Sequence, residues 1–216
     1  QQSMNDSQPL LVVVVHKAQH RDSSRSLYIR TIIQHAKAEM SNPIFLPATE
    51  SMQNLCQQQR EKEVQSERGP LREYKATITD TKILCKFENE HAHNIRRQAL
   101  HKGKIISKAR NYGPRELDKG TIASPERTIT VFIPLATQTA DTQRVPKVLY
   151  QPDKDKAEFR QPLPWDIGNH IQIPGNSRIV VEEGPVGFDM VQYDWEPAEG
   201  QESKDEQRNR AETIWR

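Results

Sequence analysis

The sequence predicts an α/β fold, with short apolar strands and amphipathic helices alternating around a largely parallel sheet. Three observations carry that expectation. Leu10 to Val15 is an unbroken aliphatic run, the pattern of a strand covered on both faces. Tyr28, Ile29, Ile32, Ile33, Ala36 and Met40 then recur at helical spacing behind the capping residues Asp22, Ser23 and Ser24, which predicts a helix over 24–40. Asn42-Pro43 breaks that helix and Ile44-Phe45-Leu46 supplies a second apolar run, so residues 10–46 read as a βαβ unit with a right-handed crossover.

Residues 50–70 are polar and charged with little apolar periodicity, which predicts an exposed helix or a flexible connection. From Thr79 or Asp80 a second amphipathic helix is traced by Ile83, Leu84, Phe87, Ile95, Ala99 and Leu100, with Gly103 as its stop. Ile105-Ile106 predicts a brief strand. Thr128 to Leu135, Lys147 to Tyr150 and Ile179 to Val181 predict three more, separated by Pro- and Gly-containing loops. Residues 198–216 are charged and nearly free of hydrophobes, so the organisation expected is a flexible 1–9, one α/β domain over 10–197 and a disordered tail.

Composition narrows the function classes without choosing one. The 31 Lys plus Arg against 29 Asp plus Glu leave a net charge of +2, too balanced to imply a nucleic-acid or membrane partner by itself. With 34% hydrophobic residues the 216-residue chain can still build a modest core. Only Cys56 and Cys85 occur, which excludes a disulfide-dense scaffold and leaves one bridge or two free thiols open. No apolar run approaches the roughly 18 residues of a membrane span. Asn5-Asp6-Ser7 is a glycosylation sequon, in keeping with a secretory protein.

Four groups of residues offer chemistry. Lys17, His20 and Arg21 follow the first predicted strand, where a doubly wound sheet holds ligands, and could cradle a diphosphate or form a solvated basic turn. Asp153 and Asp155 follow the strand ending at Tyr150 and could hold a divalent cation with a diphosphate, or belong to an ordinary charged turn. In "GFDMVQYDWEP", Asp189 and Asp194 stand among Phe188, Tyr193 and Trp195. Aromatic faces suit sugar rings and a carboxylate can serve as general base, while a strand end with core aromatics explains the same letters. His91 and His93, beside Glu88 and Glu90 and ahead of His101, invite a metal reading. Helical residues two apart diverge, so exposed histidines are expected instead.

Several of these segments resemble, in order, the Golgi alpha-1,6-mannosyl-glycoprotein 2-beta-N-acetylglucosaminyltransferase family. The carriers are "VVVVHKAQHRD" with "NPIFL", then "GPLREYKATITDTK" with Gly69, Arg72, Glu73, Lys75, Thr81 and Lys82, and finally "FDMVQYDW". The resemblance implies a GT-A-like Rossmann-type sheet with flanking helices and Golgi-lumenal localisation. It also implies transfer of N-acetylglucosamine from UDP-N-acetylglucosamine, with manganese, to an N-glycan mannose. Where the family's acidic metal motif is due, the chain has Ala109, Arg110 and Asn111, so Arg110 would neutralise the diphosphate or Asp153 and Asp155 would supply the metal ligands. Met190 stands at the family's base position, which leaves Asp189 or Asp194 as the base. Two other readings accompany this one: a non-enzymatic α/β binding or scaffold protein, and an RNA-associated module using Arg96, Arg97, Lys102, Lys104, Lys108 and Arg110.

Overall fold

Thr128–Leu135 is buried at every one of its eight positions, and the rest of the architecture follows from what covers it. The computed structural model describes residues 42–58, 63–137 and 145–198. In chain order these form β1 (Ile44–Pro47), α1 (Glu50–Gln57), β2 (Val64–Arg68), β3 (Leu71–Tyr74), α2 (Ile78–Phe87), a π-helical turn (Glu88–Ala92) and α3 (His93–His101). β4 (Lys104–Leu117), β5 (Gly120–Ala123), β6 (Thr128–Leu135), β7 (Lys147–Gln151), β8 (Gln161–Pro162), β9 (Asn169–Pro174), β10 (Arg178–Glu183) and β11 (Val186–Pro197) follow.

Two sheets result, a seven-stranded one in the order β1-β9-β6-β11-β4-β3-β2 and a four-stranded one in the order β5-β10-β7-β8. Alternation along β6 sends Ile129, Val131, Ile133 and Leu135 toward Met52 and Cys56 of α1, Ile83 and Phe87 of α2, and Ile95 and Ala99 of α3. Phe132 points the other way. With Ile171, Ile173, Phe188 and Met190 it packs against Val148, Tyr150, Ile179 and Val181 of the smaller sheet. The layers are therefore helices, large sheet and small sheet, with β6 and β11 buried in the middle.

Every strand pair among the described residues is antiparallel, which corrects the expected parallel, Rossmann-type strand direction. Helices and strands do layer as expected, but the helices gather on one face. The physical reason lies in coverage: a strand needs near-continuous apolar side chains whenever both its faces are covered, and a second sheet covers as well as helices do. β2 and β3 meet through Gly69-Pro70, a connection too short for anything but an antiparallel pair, with Gly69 at φ 61°. The predicted strand Leu10–Val15 and helix 24–40 lie outside the described residues, as do residues 1–9 and most of the charged tail. Of the βαβ unit only β1 is described, paired antiparallel with β9.

Other elements depart from their expected bounds for local reasons. The polar stretch 50–70 contains α1, whose Met52 and Cys56 reach the core, and the hairpin strand β2. The helix predicted from Thr79 or Asp80 begins at Ile78, because Thr77 is its N-cap. Asp80 closes a capping box, its carboxylate accepting from the Thr77 N–H at 2.7 Å. The brief strand at Ile105-Ile106 is one part of the 14-residue β4. Between β9 and β10, Asn176 donates to Ser124 and the Ser124 N–H donates to Ser177, so this turn lies against the chain following β5. A Cβ on Gly175 would stand 1.9 Å from the Glu126 carbonyl oxygen, so only glycine fits there. Cys56 is buried, Cys85 is exposed and no disulfide joins them, which settles the bridge left open by the sequence.

This layering sets an expected contrast. Phe132→Ala, removing a ring buried among Trp165 and Phe188, should cost about 3–5 kcal/mol in urea unfolding, whereas Ile105→Ala, 47% exposed at the sheet margin, should stay within about 0.5 kcal/mol.

Candidate functional site

β4 is longer than the strand beside it. β3 pairs with it only at Glu116, Leu117 and Arg115, so from Lys104 to Tyr112 β11 is the one strand paired with β4 among the described residues. Lys108, Arg110 and Tyr112 alternate onto one face there, and Asp194 of β11 lies on the same face opposite Lys108. The Arg110 guanidinium donates to the Asp194 carboxylate at 2.5 Å, with the two side chains 40% and 30% exposed. Next to them the Arg115 guanidinium sits 4.9 Å from the centre of the Tyr112 ring. Arg115 also donates to Glu73 at 2.5 Å, and the Ser66 hydroxyl donates to Glu73 at 2.8 Å. The Ser66 hydrogen bond, with Arg115 adding its charge, holds the Glu73 carboxyl below its ordinary value against the cost of burial.

The site therefore contains a cation, a carboxylate and an aromatic face on a ledge of sheet that solvent reaches. Its Arg–carboxylate pair contributes only ~0.2–1 kcal/mol to stability because water screens it. A phosphate can compete for that guanidinium, since Arg binds planar and tetrahedral oxyanions alike through its fork of N–H donors.

Of the described residues singled out in the sequence, the structure brings Arg110 and Asp194 together on the ledge, places Asp189 in the interior, and keeps Asp153 with Asp155 in a turn of the other sheet. Asp189 is five positions before Asp194 on the same strand, so it faces the helix layer, where it is fully buried. It is not on the ledge, and a carboxylate without solvent access does not reach an acceptor hydroxyl. Asp153 and Asp155 lie in the turn after β7, at the four-stranded sheet. There the Asp155 N–H donates to Asp153 at 3.0 Å and Lys156 lies 3.5 Å away, and these contacts depress the Asp153 carboxyl in that order. Among the described residues no three His, Cys, Asp or Glu side chains are arranged to hold a metal ion. Lys17, His20 and Arg21 lie outside the described residues. Tyr112 and Arg115 are not among the residues that the sequence singles out: alternation along 108–112 is the available signal, but the sequence predicts a strand there over Ile105-Ile106 alone.

A second polar cluster lies beneath the helices. His93 and His101 are exposed as expected, but His91 is turned inward by the π-helical turn and its side chain is only 12% exposed. Its ring meets Phe87 at 5.4 Å and His170 of β9 at 5.3 Å, centroid to centroid. Glu90 adjoins His91 at 3.9 Å, and also accepts from Thr49 at 2.9 Å and pairs with Lys86 at 2.9 Å. Those hydrogen bonds lower the Glu90 carboxyl in spite of desolvation. His170 is fully buried, and neither of its ring nitrogens has a hydrogen-bond partner among the described residues. Desolvation, reinforced by His91 and opposed by Glu90, pulls its pKa down to about 4. Tyr193 ties the same turn to the sheet, donating to Glu88 at 3.0 Å.

No family model matches the sequence, and no curated protein matches it.

The buried imidazole implies a pH dependence of stability. In the unfolded chain His170 takes up its proton near its ordinary value of 6.5, whereas the folded chain refuses it until about 4. Stability is thus full above about 6.5 and falls as pH drops toward 4. The slope is about 1.4 kcal/mol per pH unit, giving ~3 kcal/mol in all. Urea midpoints between pH 7 and 4 should show this slope, and His170→Phe should flatten most of it. An unchanged slope in the variant would place the acid sensitivity elsewhere.

Proposed function

We propose that the chain is a divergent glycosyltransferase domain that binds a nucleotide-sugar on the β4–β11 ledge without a catalytic metal. One observation carries the reading: Arg110 and Asp194, assigned complementary roles from the sequence, are in direct contact on an open face beside Tyr112. Without ligand, each neutralises the other. A diphosphate, with more charge and more acceptor oxygens than a carboxylate, takes the Arg110 guanidinium and frees Asp194. The freed carboxylate accepts the proton of an acceptor hydroxyl as that oxygen attacks the anomeric carbon. The bond from that carbon to the diphosphate oxygen breaks, Arg110 stabilises the departing charge, and the configuration inverts. Tyr112 offers its face to a sugar ring.

Arg110 then takes the place of manganese in the family that the sequence resembles, which fits its standing where that family's acidic motif is due. UDP-N-acetylglucosamine as donor, an N-glycan mannose as acceptor and the Golgi lumen as location follow from the same resemblance. The antiparallel sheet supplies no support for a GT-A scaffold. The reading rests on the ledge and on the sequence blocks.

Thermal unfolding with UDP and with UDP-N-acetylglucosamine, each with and without manganese, tests it. Both ligands should raise the midpoint equally in the two conditions, and Arg110→Met should weaken binding about tenfold or more. Asp194→Asn should keep UDP binding, because the guanidinium is no longer engaged by a charge, while turnover falls about a hundredfold or more. No stabilisation by either ligand in any condition would defeat the proposal.

The non-enzymatic alternative has a specific observation of its own, the margin of β4 that no described strand pairs with. The RNA alternative has less: Arg96 is engaged by Glu88, Arg97 by Asn94, and Lys104 lies 4.1 Å over the Trp195 ring on the helix side while Lys108 and Arg110 face the other way. These cations form no single stripe for a phosphate backbone to follow.

A further inference from the structure

Among the described residues the outer margin of β4 is an unpaired sheet edge. From Lys104 to Tyr112 the strand is bonded to β11 on one side, with a bulge at Ser107, and no described strand lies on the other. These nine residues offer an edge of at most about 30 Å, with N–H and C=O groups of alternate residues directed outward on either side of the bulge. No proline interrupts it before Pro114. Proteins usually guard such an edge by shortening or covering it, or by placing charge on it. Here the guard is the bulge at Ser107 together with positive charge along β4, with Glu196 of β11 opposite Ile105. Lys104 stands on the helix side and Lys108 and Arg110 on the other, while Lys102 precedes the strand; the nearby Asp194 is engaged with Arg110. Positive charge repels a second copy of this edge and gives no advantage to an apolar strand. An acidic strand is the partner it accepts. Ile105, 47% exposed between Lys104 and Ile106, provides an apolar contact for that strand.

We propose that the β4 edge binds an extended acidic peptide segment as an added antiparallel or parallel strand, extending the seven-stranded sheet beyond Lys104–Tyr112. Backbone pairing supplies the binding and the lysines select the charge. The inference does not rest on nucleotide-sugar binding: the edge shares Arg110 and Tyr112 with the ledge, but strand pairing uses the β4 backbone and the assay contains no UDP.

The test uses the full chain and a synthetic nine-residue peptide of alternating Glu and Val with capped ends. Two more versions carry N-methyl groups on the odd or on the even backbone amides. Strand addition requires only one of the two sets of amides to face the protein. One N-methylated peptide should therefore bind like the parent, while the other loses about tenfold or more. Lys108→Glu should weaken the parent peptide about tenfold at low salt, and a Lys-Val peptide should not bind. Equal binding of both N-methylated peptides would reduce the contact to charge alone and overturn strand addition. So would an absence of peptide binding, or binding of an oligonucleotide in its place.

Discussion

The constraint on which this protein depends is the double coverage of its central strands. β6 and the first eight residues of β11 are buried along their length, so each must present apolar matter to both sides at once. The helices close one face and the small sheet the other. A residue's parity along β6 or β11 decides which core it joins, and a one-residue slip in the β6–β11 register would exchange the two cores. In a chain with only 34% hydrophobic residues, two cores sharing one pair of strands is an economical arrangement. Each apolar residue of β6 serves a packed interface, and the outer strands are left free to be polar.

That arrangement also decides where charge can be active. At the centre of the large sheet any polar side chain is enclosed, as Asp189 and His170 are. Toward β4 the small sheet no longer covers the surface, and the same strand that buries Asp189 presents Asp194 to solvent five residues later. The ledge thus arises where two-sided coverage ends. Water there screens the Arg110–Asp194 pair enough to make it exchangeable, which an enclosed pair would not be.

The π-helical turn has a related effect beneath the helices. By adding a residue to one turn it rotates His91 inward and lets His93 point out. A histidine pair is thereby enclosed with Phe87, and burial lowers the pKa of both imidazoles. Thr49, Lys86 and Glu90 join α1 to α2 at the margin of this cluster, so the polar groups tie together the helices that the apolar core holds to the sheet.

Much of the local structure was legible in the sequence. Periodicity announced the helical stretch that ends at Gly103, alternation announced β6, and short apolar runs announced β1, β7 and β10, because these signals depend only on neighbours along the chain. Strand direction was not legible. An apolar run reports that both faces are covered but not by what, and the partner of each strand is set by residues far away in sequence. The same holds for the site. The types of Arg110 and Asp194 could be read as a cation and a base, but their meeting depends on the β4–β11 register across 84 positions. Asp189 could not be told from Asp194 by its letter. Only the tertiary structure, by covering one face of β11 and leaving part of the other bare, made one of them core and the other surface.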